Sequence, residues 1–131
     1  MSRMFRKNFK IKKMNSEQLE EIKLETERLV KQNLIDNPQA PSDFLKTADL
    51  LNSYLYNLGE MLLILENAYR RDVQLNILGG DKNAVAESKA KAGENYKKYR
   101  ACELLYKRGE ERIRLLKKTA TIAQEEFNRT N

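Results

Sequence analysis

The sequence predicts an all-α protein: a long antiparallel helical hairpin, coiled-coil-like, with a shorter N-terminal helix packed on it. Two heptad runs of apolar residues predict two helices of about 33 residues each, which follow one another with a short connection and are therefore expected to be antiparallel neighbours. Only two prolines and five glycines occur in 131 residues, and this composition is typical of a helix-rich globular chain. The length fits one domain. We therefore expect a basic arm over residues 1–14 and a single helical domain over 15–131.

The first helix is predicted over residues 16–36. Asn15 and Ser16 can cap its start, and Glu17 lies in the first turn, where negative charge suits the helix dipole. Asn37 and Pro38 then end it, because the residue before proline avoids the helical region.

The second helix is predicted over residues 43–78, with Ser42 or Asp43 as its cap. Its apolar positions keep a 4-3-4-3 spacing from Phe44 to Tyr69, which is a coiled-coil seam. Residues 61–65 (MLLIL) are apolar on most sides, so we expect more than one partner to bury them. Gly79 and Gly80 then provide a turn.

The third long helix is predicted over residues 94–128, with a second seam that runs from Tyr99 to Phe127. Between the two long helices, residues 84–93 are small and polar, which leaves either a weak helical turn or a loop. Gly59 and Gly109 both fall in mid-helix, at similar distances from the turn. We expect them to face each other and allow a close crossing of the two backbones.

The composition argues against catalysis. The chain has no histidine and one cysteine, so it lacks the commonest general base and cannot build a thiolate metal site. We therefore expect no enzymatic activity, no cofactor and no metal. Cys102 is predicted to be a small buried residue in a reducing, cytoplasmic compartment. No run approaches the ~18 to 20 apolar residues that span a bilayer, so we expect no membrane partner.

Positive charge is concentrated in two segments. Residues 1–13 hold six basic and no acidic side chains, and residues 94–118 hold nine basic side chains against four glutamates. Such clusters attract polyanions. One interpretation is a cationic stripe that tracks the phosphates of a single strand, with Tyr96 as the preferred base-stacking residue over Tyr99 and Tyr106. The other is a solvated helix face supported by pairs such as Glu110 with Arg114.

The predicted nucleic-acid contacts are Lys97, Lys98, Arg100, Lys107, Arg108, Arg112, Arg114, Lys117, Lys118, Tyr96 and, in the arm, Arg3, Arg6 and Lys7. The arm also carries Phe5 and Phe9, so a disordered tail, an amphipathic helix on an anionic membrane and a segment docked on a neighbouring subunit all stay open. The two seams are longer than a three-helix monomer needs, which favours a homo-oligomer. Its predicted interface residues are Leu58, Met61, Leu62, Leu65, Ile113 and Leu116.

The order of these segments resembles that of bacteriophage recombination mediator proteins of the UvsY type. The resemblance covers residues 16–127 and includes "LLNSYLYNLGEMLLILENAYRR" and "YKKYRACELLYKRGEERIRLLKKTATIAQEEF". It implies a homo-oligomer that binds single-stranded DNA without sequence preference and helps load a recombinase. The basic arm departs from it, since that family is associated with an acidic start. The alternative is a helical protein-interaction module, either a structural subunit or an inhibitor of a host defence complex, that binds no nucleic acid.

Overall fold

The structure of the protein, a computed structural model, describes residues 16–32 and 40–130, and every regular element in them is an α-helix. The four helices are α1 (Ser16–Lys31), α2 (Pro41–Leu78), α3 (Asn83–Lys91) and α4 (Glu94–Thr130). This confirms the predicted all-α class. Among these helices, none combines the length and apolar character needed to cross a bilayer. The predicted arm, residues 1–14, lies outside the described residues.

Helices α2 and α4 form the predicted antiparallel hairpin. Near the turn, the Asn95 amide donates a hydrogen bond to the Asp72 carboxylate at 2.9 Å. Further along, the Cys102 thiol points at the Leu58 carbonyl, with sulfur and oxygen 3.7 Å apart. Residue numbers therefore increase along α4 as the numbers of the α2 residues that they contact decrease, so the two helices are antiparallel.

The core consists of two buried clusters along this hairpin. One contains Leu29, Phe44, Ala48, Leu51, Leu116 and Ala120, and the other contains Leu55, Leu58, Cys102 and Leu105. Helix α1 covers both, because Leu29 belongs to the first cluster and Ile22 packs against the second. The fully buried Thr26 donates its hydroxyl hydrogen bond to the Ile22 carbonyl at 2.6 Å, so its polar group is satisfied inside α1. Cys102 is buried, as predicted.

The expected glycine crossing is wrong in its register. A Cβ added at Gly59 would lie 3.5 Å from Cε2 of Tyr106, whereas one added at Gly109 would lie 2.4 Å from Cδ2 of Leu55. Each glycine therefore faces a side chain of the other helix, about one turn away from the opposite glycine. Gly109 still permits a close approach, but the group that fills the space is the Leu55 side chain.

Three element boundaries differ from those predicted. Helix α1 ends at Lys31 instead of 36. Helix α2 begins at Pro41, and Asp43 lies inside it, where its carboxylate accepts the Ala40 backbone N–H at 3.2 Å. At its other end, α4 continues to Thr130.

The segment expected to be a weak turn or loop is the helix α3. Its alanines, lysines and glutamate are good helix formers, and Ala86 and Ala90, four residues apart, are buried against the hairpin. The Asn76 amide donates to the Ala86 carbonyl at 3.1 Å and ties α3 to α2. Gly80, with φ of 107°, completes the preceding turn.

Two of the predicted oligomer-interface residues belong to the interior of a single chain. Leu58 and Leu116 are both 0% exposed, because the two seams pack on each other and α1 covers them. They leave no surface for a second subunit. Met61, Leu62, Leu65 and Ile113 are half-buried and pack partly against the second cluster.

Two apolar sites are exposed in the single chain. Leu63 and Ile64 of the MLLIL segment are exposed, and no second helix among the described residues covers them, so their burial by a further partner stays a prediction. Phe127, predicted at the end of the second seam, is also largely exposed, because the buried part of the α4 seam stops near Ala120 and Ala123.

The two mid-helix glycines predict opposite responses to alanine. Gly59→Ala should raise the free energy of unfolding by about 0.5 to 1 kcal/mol, because helix propensity improves and the new methyl makes an ordinary contact. Gly109→Ala should lower it by about 1 kcal/mol, because overpacking against the buried Leu55 exceeds that gain. Urea unfolding followed by circular dichroism measures both, and an equal gain in the two variants would contradict the contact at Leu55.

Candidate nucleic-acid interface

The cations of α4 do not all share one side of the helix. Arg100, Lys107 and Arg114 are spaced seven residues apart, so they form a line with steps of about 10.5 Å along the axis. Lys118 continues this line, and Lys117 lies on the side nearer the hairpin groove. Lys97, Lys98 and Arg108 point in other directions. The structure therefore brings together a subset of the predicted stripe.

Few of these cations are neutralised within the described part of the chain. Glu103 pairs with Arg100 and, at 3.9 Å, with Lys107. The predicted pair of Glu110 with Arg114 does not form there. Among the predicted contacts, the exposed cations with no described carboxylate within ion-pairing distance are Lys97, Lys98, Arg108, Arg114, Lys117 and Lys118.

Arg112 differs from the other predicted contacts because it is half-buried. Its Nε and Nη2 atoms are inaccessible to solvent and have no hydrogen-bond partner among the described residues. Burial lowers the pKa of this guanidinium, since removal from water disfavours the charged form. Arg112 is therefore less accessible than the other cations of α4, and its phosphate contact stays a prediction.

The cationic line borders a groove between α2 and α4 of about 350 Å³. Its lining residues are Asn52, Leu55, Tyr56, Tyr106, Glu110, Ile113 and Arg114. Leu105, which belongs to the cluster under α1, and Tyr106, which lines the groove, are consecutive and point about 100° apart around the helix. The groove is therefore on a different side of the hairpin from α1. We call Tyr56, Lys107, Arg114 and Lys117 the groove face.

Tyr56 is the aromatic residue of this face that sequence reasoning missed. It is 64% exposed and shares the groove lining with Arg114. A tyrosine ring beside a guanidinium can stack on a nucleobase while the cation contacts phosphate. The sequence does contain an indication of this placement: Tyr56 follows Leu55 of the seam directly, so it lies at the edge of the seam.

Tyr96, the predicted stacking residue, is engaged in an aromatic cluster near the turn. Its ring centroid lies 4.9 Å from that of Tyr69 and 6.3 Å from that of Tyr99. The Tyr69 and Tyr99 rings are nearly parallel at 6.1 Å. The Tyr99 hydroxyl donates to Glu103 at 3.0 Å, and this hydrogen bond raises the pKa of the phenol. The cluster holds the turn end of the hairpin together and leaves Tyr96 half-buried.

The remaining predicted contacts and the comparisons add no further site. Arg3, Arg6 and Lys7 lie outside the described residues. Within residues 16–32 and 40–130, no group of three or more cysteine, aspartate or glutamate side chains is placed to hold a metal ion.

No protein-family model, curated protein sequence or solved structure matches the chain. The groove face therefore rests on its own geometry.

Arg112 and Arg114 form a matched pair for a stability test. Arg112→Met should raise the free energy of unfolding by about 1 kcal/mol, because it removes a buried charged group that lacks a partner. Arg114→Met removes the same charge from an exposed position and should change stability by less than about 0.5 kcal/mol. Urea unfolding of both variants gives the comparison. A loss of stability in Arg112→Met alone would show that this guanidinium has a stabilising partner.

Proposed function

We propose that the protein is a non-enzymatic, homo-oligomeric binder of single-stranded nucleic acid, of the recombination-mediator type found in phages. The observation that carries the proposal is the set of exposed, unpaired cations on α4. Elsewhere in the described chain some cations pair with nearby carboxylates, as in Glu25 with Arg28 and Glu66 with Arg70, whereas Lys46 and Lys91 do not. What distinguishes α4 is the concentration of six exposed, unpaired cations within residues 97–118 of one helix, which attracts polyanions.

Phosphate binding explains why such charges would be left unpaired. A cation that contacts a phosphate releases a condensed counterion, and that release supplies most of non-specific affinity. The groove face adds Tyr56, whose exposed ring can accept any base because every base has a flat aromatic surface. Affinity with little sequence preference follows from this combination.

The mediator role extends the proposal from binding to a process. A small oligomer that holds a strand without sequence preference can present it to a recombinase, which is the partner that the resemblance implies. We place this activity in the cytoplasm, where the buried free thiol of Cys102 would stay reduced. In this proposal the basic residues Arg3, Arg6 and Lys7 add to the charge that attracts the strand.

Titration of a labelled single strand of ~30 nucleotides at several salt concentrations tests the proposal. Fluorescence anisotropy should show an affinity that falls steeply with salt, and duplex of the same sequence should bind more weakly. Lys107→Glu with Arg114→Glu should weaken strand binding at least about tenfold and lower the log-log salt slope by about two, because two phosphate contacts are lost.

The matched control is Lys46→Glu with Lys91→Glu. Both lysines are exposed outside α4 and have no ion pair in the described chain, and the net charge changes by the same amount. This variant should bind within about twofold of the parent protein. An equal loss of strand affinity in both double variants would mean that net charge alone determines binding and would contradict the groove face. No binding at low salt would overturn the proposal. A protein-interaction module would then be the better hypothesis, with exposed Leu63 and Ile64 as the first candidate contact residues.

A further inference from the structure

A second row of side chains runs along α4, apart from both the seam and the groove face. Leu104, Arg108, Glu111 and Leu115 follow at intervals of four, three and four residues, so they share one side of the helix. Leu104 and Leu115 are each 45% exposed, and the two charged residues between them are exposed as well. We call these four residues the outer row.

The charges of the outer row have no partner in the described chain. Arg108 and Glu111 are three residues apart but do not form an ion pair with each other, and no other described side chain pairs with either. Two half-exposed leucines thus flank two opposite charges that are both available. An interface can use each of these groups.

The outer row is complementary to itself when reversed. In an antiparallel helix pair, each step to a higher residue number in one copy faces a step to a lower residue number in the other copy. Leu104 then meets Leu115 of a second copy, and Arg108 meets Glu111 of that copy. The two-fold axis repeats both contacts, which gives two leucine layers around two ion pairs. In the same register Ile122 meets the aliphatic stem of Lys97.

We propose that a second copy of this chain docks on the outer row, with the two α4 helices antiparallel and Arg108 of each copy paired with Glu111 of the other. This interface differs from the one expected from the sequence, which used seam residues, because Leu58 and Leu116 of the seams are buried inside one chain. The occupant is another copy because the matching groups come from the same four residues in reverse order.

The interface deepens the proposed function and rests on its oligomeric part. Lys107 and Arg114 flank the outer row, and the two-fold axis places those of both copies on the same side of the helix pair. These cations repel one another across the dimer, and a bound strand would relieve the repulsion. Strand binding and dimer formation should therefore strengthen each other, as linkage requires.

Charge reversal with rescue tests the contact. Sedimentation equilibrium of the full chain should show dimers in the parent protein. Arg108→Glu and Glu111→Arg should each weaken the dimer at least about tenfold, because like charges then face each other. The double variant restores opposite charges and should return the dissociation constant to within about threefold of the parent. A double variant no better than the single ones would overturn the proposal, as would a monomeric parent protein.

Cysteine cross-linking tests the register independently of charge. Leu104→Cys and Leu115→Cys are made separately in a Cys102→Ala background, and one of the two chains carries a size tag. Under oxidation the mixture should give a disulfide between the two different variants. Either variant alone should not, because like positions would lie about 16 Å apart along the axis, beyond the reach of a disulfide. Cross-linking of like with like would overturn the antiparallel register.

Anisotropy titrations of the same charge variants separate this interface from the proposed function. A chain that binds the single strand but fails the charge rescue overturns the interface and leaves strand binding intact. A chain that passes the rescue and the cross-linking test but binds no strand supports the interface and overturns the proposed function.

Discussion

The rest of the structure depends on the close approach of α2 and α4 at Gly109. The missing side chain there admits Leu55, and this contact fixes the antiparallel register of two helices of 38 and 37 residues. Once the register is set, the two seams pack against each other, and α1 covers part of the remaining apolar surface with Ile22 and Leu29. Everything that α4 carries outside this seam must then face solvent or a partner. Burial in the core is therefore what defines the groove face and the outer row.

Charge placement on α4 follows from the same geometry. A helix packed along one side has most of its circumference exposed, and α4 carries ten lysines and arginines against six glutamates, with Arg112 the one cation among them that is half-buried. Glu103 neutralises part of the charge near the turn, whereas Glu110 and Glu111 pair with no cation in the described chain. Surface ion pairs contribute little to stability, so the fold loses little by leaving these groups unpaired. We therefore propose that their arrangement serves binding and contributes little to stability.

The fold was predictable where apolar periodicity is strong. The buried positions Phe44, Ala48, Leu51 and Leu55 were all identifiable from their spacing, and so was the burial of Cys102. Helix α3 was missed because Ala86 and Ala90 bury too little surface to produce a periodic signal. The offset of the two glycines could not be read from either helix, since register is a property of the pair. At the candidate site, the exposed cations were predictable from composition, but the burial of Arg112 and the placement of Tyr56 and Arg114 in the lining of one groove depend on how the helices pack.

Photo-crosslinking would test most directly whether this surface is the one that a strand contacts. A single strand with iodinated uracils, which couple to nearby aromatic rings, would be irradiated in complex with the protein and the linked peptides identified by mass spectrometry. We expect cross-links at Tyr56, and at Tyr106 where a base enters the groove, and we expect them to disappear at high salt. Cross-links confined to residues 1–13, with none on α2 or α4, would contradict the assignment of the groove face.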